Sequence, residues 1–326
     1  MTDKRPIVVL AGPTASGKSS LAVELAGLLD GEIINADSQQ VYKEPCIGTA
    51  KPGSGERDMV RHHLLDLASI NDQLTAARFV GHADAAIADI SDRGRVPLVV
   101  GGSGLWLRSL LWGLADAPER SPAIRARLEA EESAAKPGSL HSRLVEVDPE
   151  TASRLHPNDK VRIIRALEVF EVTGEPLSAH HARHGLTEPR HPYRLLVLLP
   201  ARVELRMRIR RRAESMLASG WVKETRALLE GGVPRDRLEK LLGYGETAAY
   251  LDGALTSEQM LDQIVSRTWA YAKRQVLWLR KEPFAEWWRP PVDARALAED
   301  LFSWLRSPSM PLKEGAGTGD IFPASW

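Results

Sequence analysis

Over the first hundred residues, continuous apolar runs alternate with stretches of helical spacing. Ile7-Val8-Val9-Leu10-Ala11 is apolar throughout, residues 20–26 follow a helical pattern, and residues 31–38 form a short strand ending near an acid, Asp37. His63-Leu64-Leu65-Asp66-Leu67 predicts a further strand. Residues 74–92 place Leu74, Ala77, Val80, Ala85, Ile87 and Ala88 at helix spacing, and Val96-Pro97-Leu98-Val99-Val100 returns to a strand. Strands without polar alternation are covered on both faces, so the expected class is α/β, a parallel sheet with helices on both sides. The pattern changes near Asp116. From there to Pro192, helices and polar loops are punctuated by Pro122, Pro137, Pro149, Pro157 and Pro176. A strand resumes at Leu195-Leu196-Val197-Leu198-Leu199, and helices are expected from 202 to 288. These shifts divide the chain into a sheet core in two parts, 1–115 and 193–306, an all-helical insertion at 116–192, and a tail at 307–326. The tail is rich in Pro, Gly and Ser and is expected to be disordered.

The most specific motif is Gly12-Pro13-Thr14-Ala15-Ser16-Gly17-Lys18-Ser19, set between the first strand and the first helix. A glycine loop there turns main-chain N–H groups inward, and the helix N-terminus adds positive potential. Lys18 would reach a terminal phosphate and the Ser19 hydroxyl would bind Mg²⁺. The expected fold is therefore P-loop NTPase-like, and the ligand is a polyphosphate or diphosphate. Asp37 ends the strand after the loop's helix, at the sheet edge where ligands of open α/β sheets bind. It could hold Mg²⁺, take a proton from an acceptor, or simply cap the segment from Ser38. Asp66 is a lesser metal candidate. Gly101-Gly102-Ser103-Gly104 ends another strand, where glycines would let a ligand approach the backbone.

Composition narrows the partners. Lys plus Arg and Asp plus Glu both number 43, so no global field draws the chain to nucleic acid, and any such binding needs local patches. Three stand out: residues 154–165, residues 202–214 with six arginines, and residues 267–281, where Arg267, Lys273, Arg274, Arg280 and Lys281 interleave with Trp269, Tyr271 and Trp278. The last pattern suits a phosphate backbone beside stackable bases, although each aromatic alone reads as core. Arg208 and Arg212 share a helix face and could aim at one diphosphate. Cys46 is the sole cysteine and is expected to be buried, in a reducing compartment. The histidines at 62, 63, 156, 180, 181 and 184 lack metal-ligand spacing and are expected on surfaces and loops. No apolar stretch reaches membrane-span length and no signal core is present, so a cytoplasmic protein is expected.

Taken in order, several segments resemble the tRNA dimethylallyltransferases. They are the glycine loop; Asp37-Ser38-Gln39-Gln40-Val41-Tyr42; Ile47-Gly48-Thr49-Ala50-Lys51-Pro52; Gly101-Gly102-Ser103-Gly104-Leu105; His156-Pro157-Asn158-Asp159 with Arg162-Ile163-Ile164-Arg165-Ala166-Leu167-Glu168; and Tyr271-Ala272-Lys273-Arg274-Gln275. The resemblance implies transfer of a dimethylallyl group from dimethylallyl diphosphate to the exocyclic amine of the adenosine 3′ of the anticodon, in tRNAs reading codons that begin with U. It implies catalytic roles for Asp37 as base, Ser103 and Lys18, and a diphosphate cradle of Gly12, Pro13, Thr14, Ala15, Ser16, Gly17, Lys18, Ser19 and Arg212. Mg²⁺ would sit at Ser19 and Asp37. Contacts to tRNA would come from Asp37, Ser38, Gln39, Gln40, Ser103, Arg125, Val161, Arg162, Ile163, Ile164, Arg165, Lys273 and Arg274. The helical insertion would clasp the anticodon stem-loop, and the protein would act as a monomer.

The chain departs from the family pattern at four places. Ser103 stands for a usual Thr and Trp106 for a usual Tyr, while Gly245 and Trp269 each replace a basic residue. Weaker and more salt-sensitive tRNA binding is expected from the last two. A P-loop kinase of a small metabolite or nucleoside, and a non-catalytic RNA-binding relative, are the alternatives. A third keeps the chemistry but acts on free adenine nucleotides.

Overall fold

The computed structural model describes residues 5–72, 74–114, 117–184 and 188–307. Along the chain lie β1 (Ile7–Ala11), α1 (Lys18–Leu29), β2 (Gly31–Ala36), α2 (Ser54–Met59), β3 (His62–His63), α3 (Ala76–Asp92), β4 (Val96–Gly101) and α4 (Gly104–Trp112). Five helices follow: α5 (Pro122–Ala134), α6 (Ser139–Val147), α7 (Pro149–Arg154), α8 (Lys160–Thr173) and α9 (Leu177–His184). The chain then returns through β5 (Tyr193–Leu198), α10 (Arg202–Ala218), α11 (Trp221–Glu230), α12 (Arg235–Leu238), α13 (Tyr244–Leu251), α14 (Ser257–Leu279), β6 (Ala285–Trp288) and α15 (Ala294–Arg306).

The six strands are all parallel, in the order β3-β2-β4-β1-β5-β6. Every residue of β1 and β2 is buried; the unbroken apolar run of β1 predicts this, whereas β2 buries Glu32 and Asn35 as well. Each fully buried Val, Leu or Ile there adds about 1.5–3 kcal/mol. Gly101 pairs with Ala36 of β2 on one side and Ala11 of β1 on the other. The three loops that follow these strands therefore leave the sheet at one level, and the loop after β4 is the middle one. Adjacent strands lie about 4.8 Å apart, so β1 and β2 stand about 10 Å apart at this edge.

Two compact units emerge: residues 1–111 with 190–326, and residues 112–189. The second is built from α5–α9 around Leu128, Leu144, Ile163, Ile164 and Leu167. Carboxylates close its helix starts. Glu132 accepts from Gly138 and Leu140 N–H at 2.9 and 3.1 Å, and Asp148 from Thr151 and Ser178 N–H, both at 3.0 Å.

Some elements differ from the sequence expectations. The strand expected at 63–67 is only His62–His63, because Leu64 and Asp66 adopt positive φ of 64° and 58° and turn the chain away. Helix does not continue to 288: β6 adds a strand, four residues being too short to display a period. Cys46 is exposed rather than buried. His180 is buried within α9, and His63 is half-buried with Nε2 2.6 Å from Glu32 Oε2. The boundary near Asp116 and the tail from 308 fall outside the described residues.

Candidate active site

The glycine loop follows β1 and runs into α1. Gly17, the N-cap of α1, sits at φ 96°, in left-handed space that favours glycine. Ala15 also lies at positive φ, 63°, which keeps the loop curled. Ser16 N–H donates to Pro13 O at 3.1 Å, and Arg208 Nη1 donates to Ser16 O at 3.0 Å. Ala15, Ser16, Gly17, Lys18, Ser19 and Ser20 share a cavity with Arg208, Arg211 and Arg212. The Ser16 hydroxyl in its wall is buried without a hydrogen-bond partner. An unsatisfied hydroxyl beside four cationic side chains is a place built for an anion.

A second, more enclosed cavity brings Thr14, Lys18, Ser19, Asp37, Gln40 and Arg212 together with apolar walls from Ala22, Val23, Ile33, Leu65 and Val100. Burial holds the Lys18 ammonium down to about 8; Arg212 adds to the depression and the Asp37 carboxylate opposes it. Burial likewise lowers Arg212, again opposed by Asp37. Both cations thus face one carboxylate in a poorly solvated space, where a bound anion would be attracted strongly.

Asp37 is positioned by its neighbours. Its N–H donates to Asn35 Oδ1 at 3.2 Å, and Oδ1 accepts from Gln39 N–H at 2.9 Å. No helix starts at Ser38, so Asp37 caps a turn rather than a helix, and among the described residues its Oδ2 carries no hydrogen bond. Ser103 Oγ accepts from Ser38 N–H at 2.9 Å and donates to Ser38 Oγ at 3.0 Å. Tyr271 of α14 lies beside the Ser103 hydroxyl, and burial followed by the Asp37 charge raises its phenol above the ordinary range.

These geometries match a known group. The family model of the IPP transferases covers residues 40–282. The chain belongs to that family. It is 49% identical to a tRNA dimethylallyltransferase of Anaeromyxobacter dehalogenans (strain 2CP-C), over 90% of this chain and 97% of the relative. Identity to the tRNA dimethylallyltransferase of Myxococcus xanthus (strain DK1622) is 45%, over 89% and 95%. The full-length tRNA isopentenylpyrophosphate transferase of Bacillus halodurans superposes with a TM-score of 0.69 at 32% identity, covering 94% of this chain and 98% of that one. A eukaryotic dimethylallyltransferase acting on tRNA gives 0.76 at 29% identity, covering 92% and 75%.

Against that family frame, the sequence candidates separate. Gly12 to Ser19, Asp37, Ser38, Gln39, Gln40, Ser103 and Arg212 gather at one sheet edge. Gln40 turns inward, donating from Nε2 to Thr49 O and Ala50 O at 3.1 and 2.9 Å. Asp66 is tied to Lys51 and Arg57, both at 2.8 Å, which accounts for its charge without a metal. Arg208 and Arg212 line the same cavity, as their shared helix face predicts, and Arg208 also ties Ser16 O to Glu204. In the helical unit, Val161 and Arg162 are exposed, whereas Ile163 and Ile164 are core. Arg125 Nη1 and Arg165 Nη1 lie 3.5 and 2.8 Å from the buried Glu168. Lys273 and Arg274 are exposed on α14.

Sequence reasoning put Arg211 in a basic run and Tyr271 among stackable aromatics, but gave neither of them, nor Gln275, a place at this site. Tyr271 and Gln275 lie within a quoted motif, but their long-range partners have no local signature. The glycines at 102 and 104 were expected to admit a ligand. Instead they admit α14: a Cβ at Gly102 would lie 2.3 Å from Gln275 Nε2, and one at Gly104 2.5 Å from the Trp278 ring.

Proposed function

We propose that the chain transfers the dimethylallyl group of dimethylallyl diphosphate to N6 of the adenosine 3′ of the anticodon, in tRNAs reading codons that begin with U. The observation that carries this reading is the convergence of Lys18, Arg212 and Asp37 on one cavity with apolar walls. An adenine amine is a weak nucleophile, so the site must stabilise the leaving group and remove a proton. The bond from the dimethylallyl C1 to the diphosphate oxygen breaks, and diphosphate leaves with the electron pair. The N6–C1 bond forms and the N6 proton passes to Asp37, whose Oδ2 is open. Lys18, Arg212 and the main-chain amides of Ala15, Gly17, Lys18 and Ser19 hold the diphosphate, with the unpaired Ser16 hydroxyl beside them. The Thr14 N–H is engaged elsewhere, so Thr14 contributes its hydroxyl. Ser103 orients the carboxylate loop through Ser38. The purine must leave its stack to enter the site.

Ser19 and Asp37 are hard oxygen donors that suit Mg²⁺, which commonly takes one carboxylate and completes its shell with phosphate and water. Among the described residues no group of three or more His, Cys, Asp or Glu could hold a metal alone, so the diphosphate would share it. When bound, the ion would neutralise charge on the leaving group. Exposed Val161 and Arg162 in the helical unit, with Arg125 and Arg165, would contact tRNA, as would exposed Lys273 and Arg274 in the sheet unit. In this reading the protein acts as a monomer. No described helix is long and apolar enough to cross a membrane.

Purified protein offered labelled dimethylallyl diphosphate or labelled ATP, each with and without tRNA, tests the reading. Label should enter tRNA from the prenyl donor only. Phosphate transfer from ATP to a small acceptor, with tRNA left unprenylated, would overturn it.

A further inference from the structure

Gln275 lies 261 residues from Thr14 and 173 from Gly102, yet its amide bridges them. Oε1 accepts from Thr14 N–H at 2.8 Å, and Nε2 donates to Gly102 O at 3.0 Å. The side chain is buried, 5% exposed, so water cannot substitute for either bond. Thr14 belongs to the loop after β1 and Gly102 to the loop after β4, the neighbouring strand. Next to Gly102, Ser103 accepts from Ser38 N–H, and Ser38 follows Asp37 in the loop after β2. Two hydrogen-bonded links, joined by the Gly102–Ser103 peptide bond, thus connect the diphosphate cradle through the middle loop to Ser38, the residue next to Asp37. Gly102 must be glycine for this to happen, since a Cβ would meet Nε2 at 2.3 Å and Gly12 O at 2.8 Å. One turn earlier on the same helix, Tyr271 lies beside Ser103.

We infer that Gln275 is a positioning residue that sets the distance between the diphosphate cradle and the Asp37 carboxylate, touching neither substrate. The inference rests on the prenyl transfer proposed above. A main-chain amide is both donor and acceptor, and only a side chain that is also both can join Thr14 N–H to Gly102 C=O. Transfer needs C1 and N6 in near-attack contact, and a displacement of about 1 Å can cost roughly 10²-fold in rate. Binding of either substrate alone does not depend on that spacing.

The test replaces Gln275 by Met, which keeps the shape and removes both bonds, and by Glu. In Gln275→Met, kcat should fall about 10²-fold, while inorganic pyrophosphate and tRNA each bind within a few-fold of wild type. An unchanged kcat, or a rise in KM for dimethylallyl diphosphate without loss of kcat, would overturn the inference. So would parallel loss of kcat and both affinities, which marks a merely structural residue. Gln275→Glu covers the case in which the Met variant does not fold. Its neutral carboxyl can accept and donate as the amide does, whereas its carboxylate cannot donate. The ratio of variant to wild-type kcat should therefore fall as pH rises through the buried carboxyl's titration; a flat ratio contradicts the bridge. Failure of the wild-type protein to prenylate tRNA would instead strike the parent reading.

Discussion

The two units hold themselves together differently. In the sheet unit, β1, β4 and β5 bury near-continuous apolar runs, and Val8, Val9, Leu98, Val99 and Leu195 have no exposed surface. In the helical unit the apolar cluster is smaller, and buried carboxylates finish the work. Glu132, Asp148 and Glu168 are 5%, 1% and 0% exposed, and each accepts main-chain N–H at or near a helix start. Helix ends leave N–H groups unpaired, and a short helix has proportionally more of them. A unit of five short helices therefore leans on charge, while a sheet satisfies its backbone internally. The sheet unit keeps its reactive charges at one edge, where Asp37 Oδ1 also accepts from Gln39 N–H.

The largest expected effect lies at that edge. Asp37→Ala should lower kcat by roughly 10²–10⁴-fold, with tRNA affinity within a few-fold and the thermal midpoint little changed; steady-state kinetics and filter binding read the two. A large loss of stability would show that Asp37 is structural after all. Lys18→Ala should act mainly on donor binding and on departure of the leaving group.

Next in size is the converse substitution in the helical unit. Glu168→Leu leaves Arg125 and Arg165 without their shared counter-charge and the Ser121 N–H without its acceptor. Removing one partner of a buried ion pair costs about 3–5 kcal/mol. Hydrogen exchange should accelerate across α5–α9 and leave β1, β4 and β5 protected. Equal acceleration in both units would erase the distinction between them.

The sheet unit buries carboxylates as well, Glu32, Glu246 and Glu282, and Glu32, which lies in β2, sharpens the comparison. Its hydrogen bond to Arg93 is the largest cause holding it down to about 2, against burial, with His63 adding to the effect. A depressed folded pKa means its stabilisation is complete above the ordinary value near 4.5 and is lost as pH falls through about 2. Glu32→Gln should remove about 1–3 kcal/mol at neutral pH and flatten the acid limb of unfolding. An unchanged acid midpoint would contradict this.

The smallest effect concerns the missing basic residues. Trp269 is flanked by Arg202 and Arg206, whose guanidinium carbons lie 5.7 and 5.5 Å from its ring centroid. These cation–π contacts are worth about 0.5–1 kcal/mol each and place two cations beside Trp269, where the resemblance led one basic residue to be expected. Physical linkage also reverses part of the expectation stated from sequence. Fewer phosphate contacts weaken binding but make it less dependent on salt, since the slope scales with the number neutralised. Trp269→Ala should weaken tRNA binding slightly and lower that slope by up to about 2, as measured from 50 to 200 mM salt; an unchanged slope would remove the patch from the interface.

The local half of this molecule was legible in its residues. The cradle announces itself because strand, glycine loop and helix are contiguous, and Asp37 because the sheet edge follows from the alternation. Short or long-range features were not. β6 is too brief for a period, and the exposure of Cys46 depends on a loop held by Glu224 far along the chain. Hydrophobic order along the sequence determined the parallel sheet, the helical insertion and the place where phosphate would bind, because those follow from neighbours in the chain. Only folding decided that Gly102 faces Gln275 rather than a ligand, that Ile163 and Ile164 turn inward, and that Lys18, Arg212 and Asp37 share one dry space. Contacts between residues hundreds of positions apart carry no periodicity, so their geometry exists only once the strands are side by side.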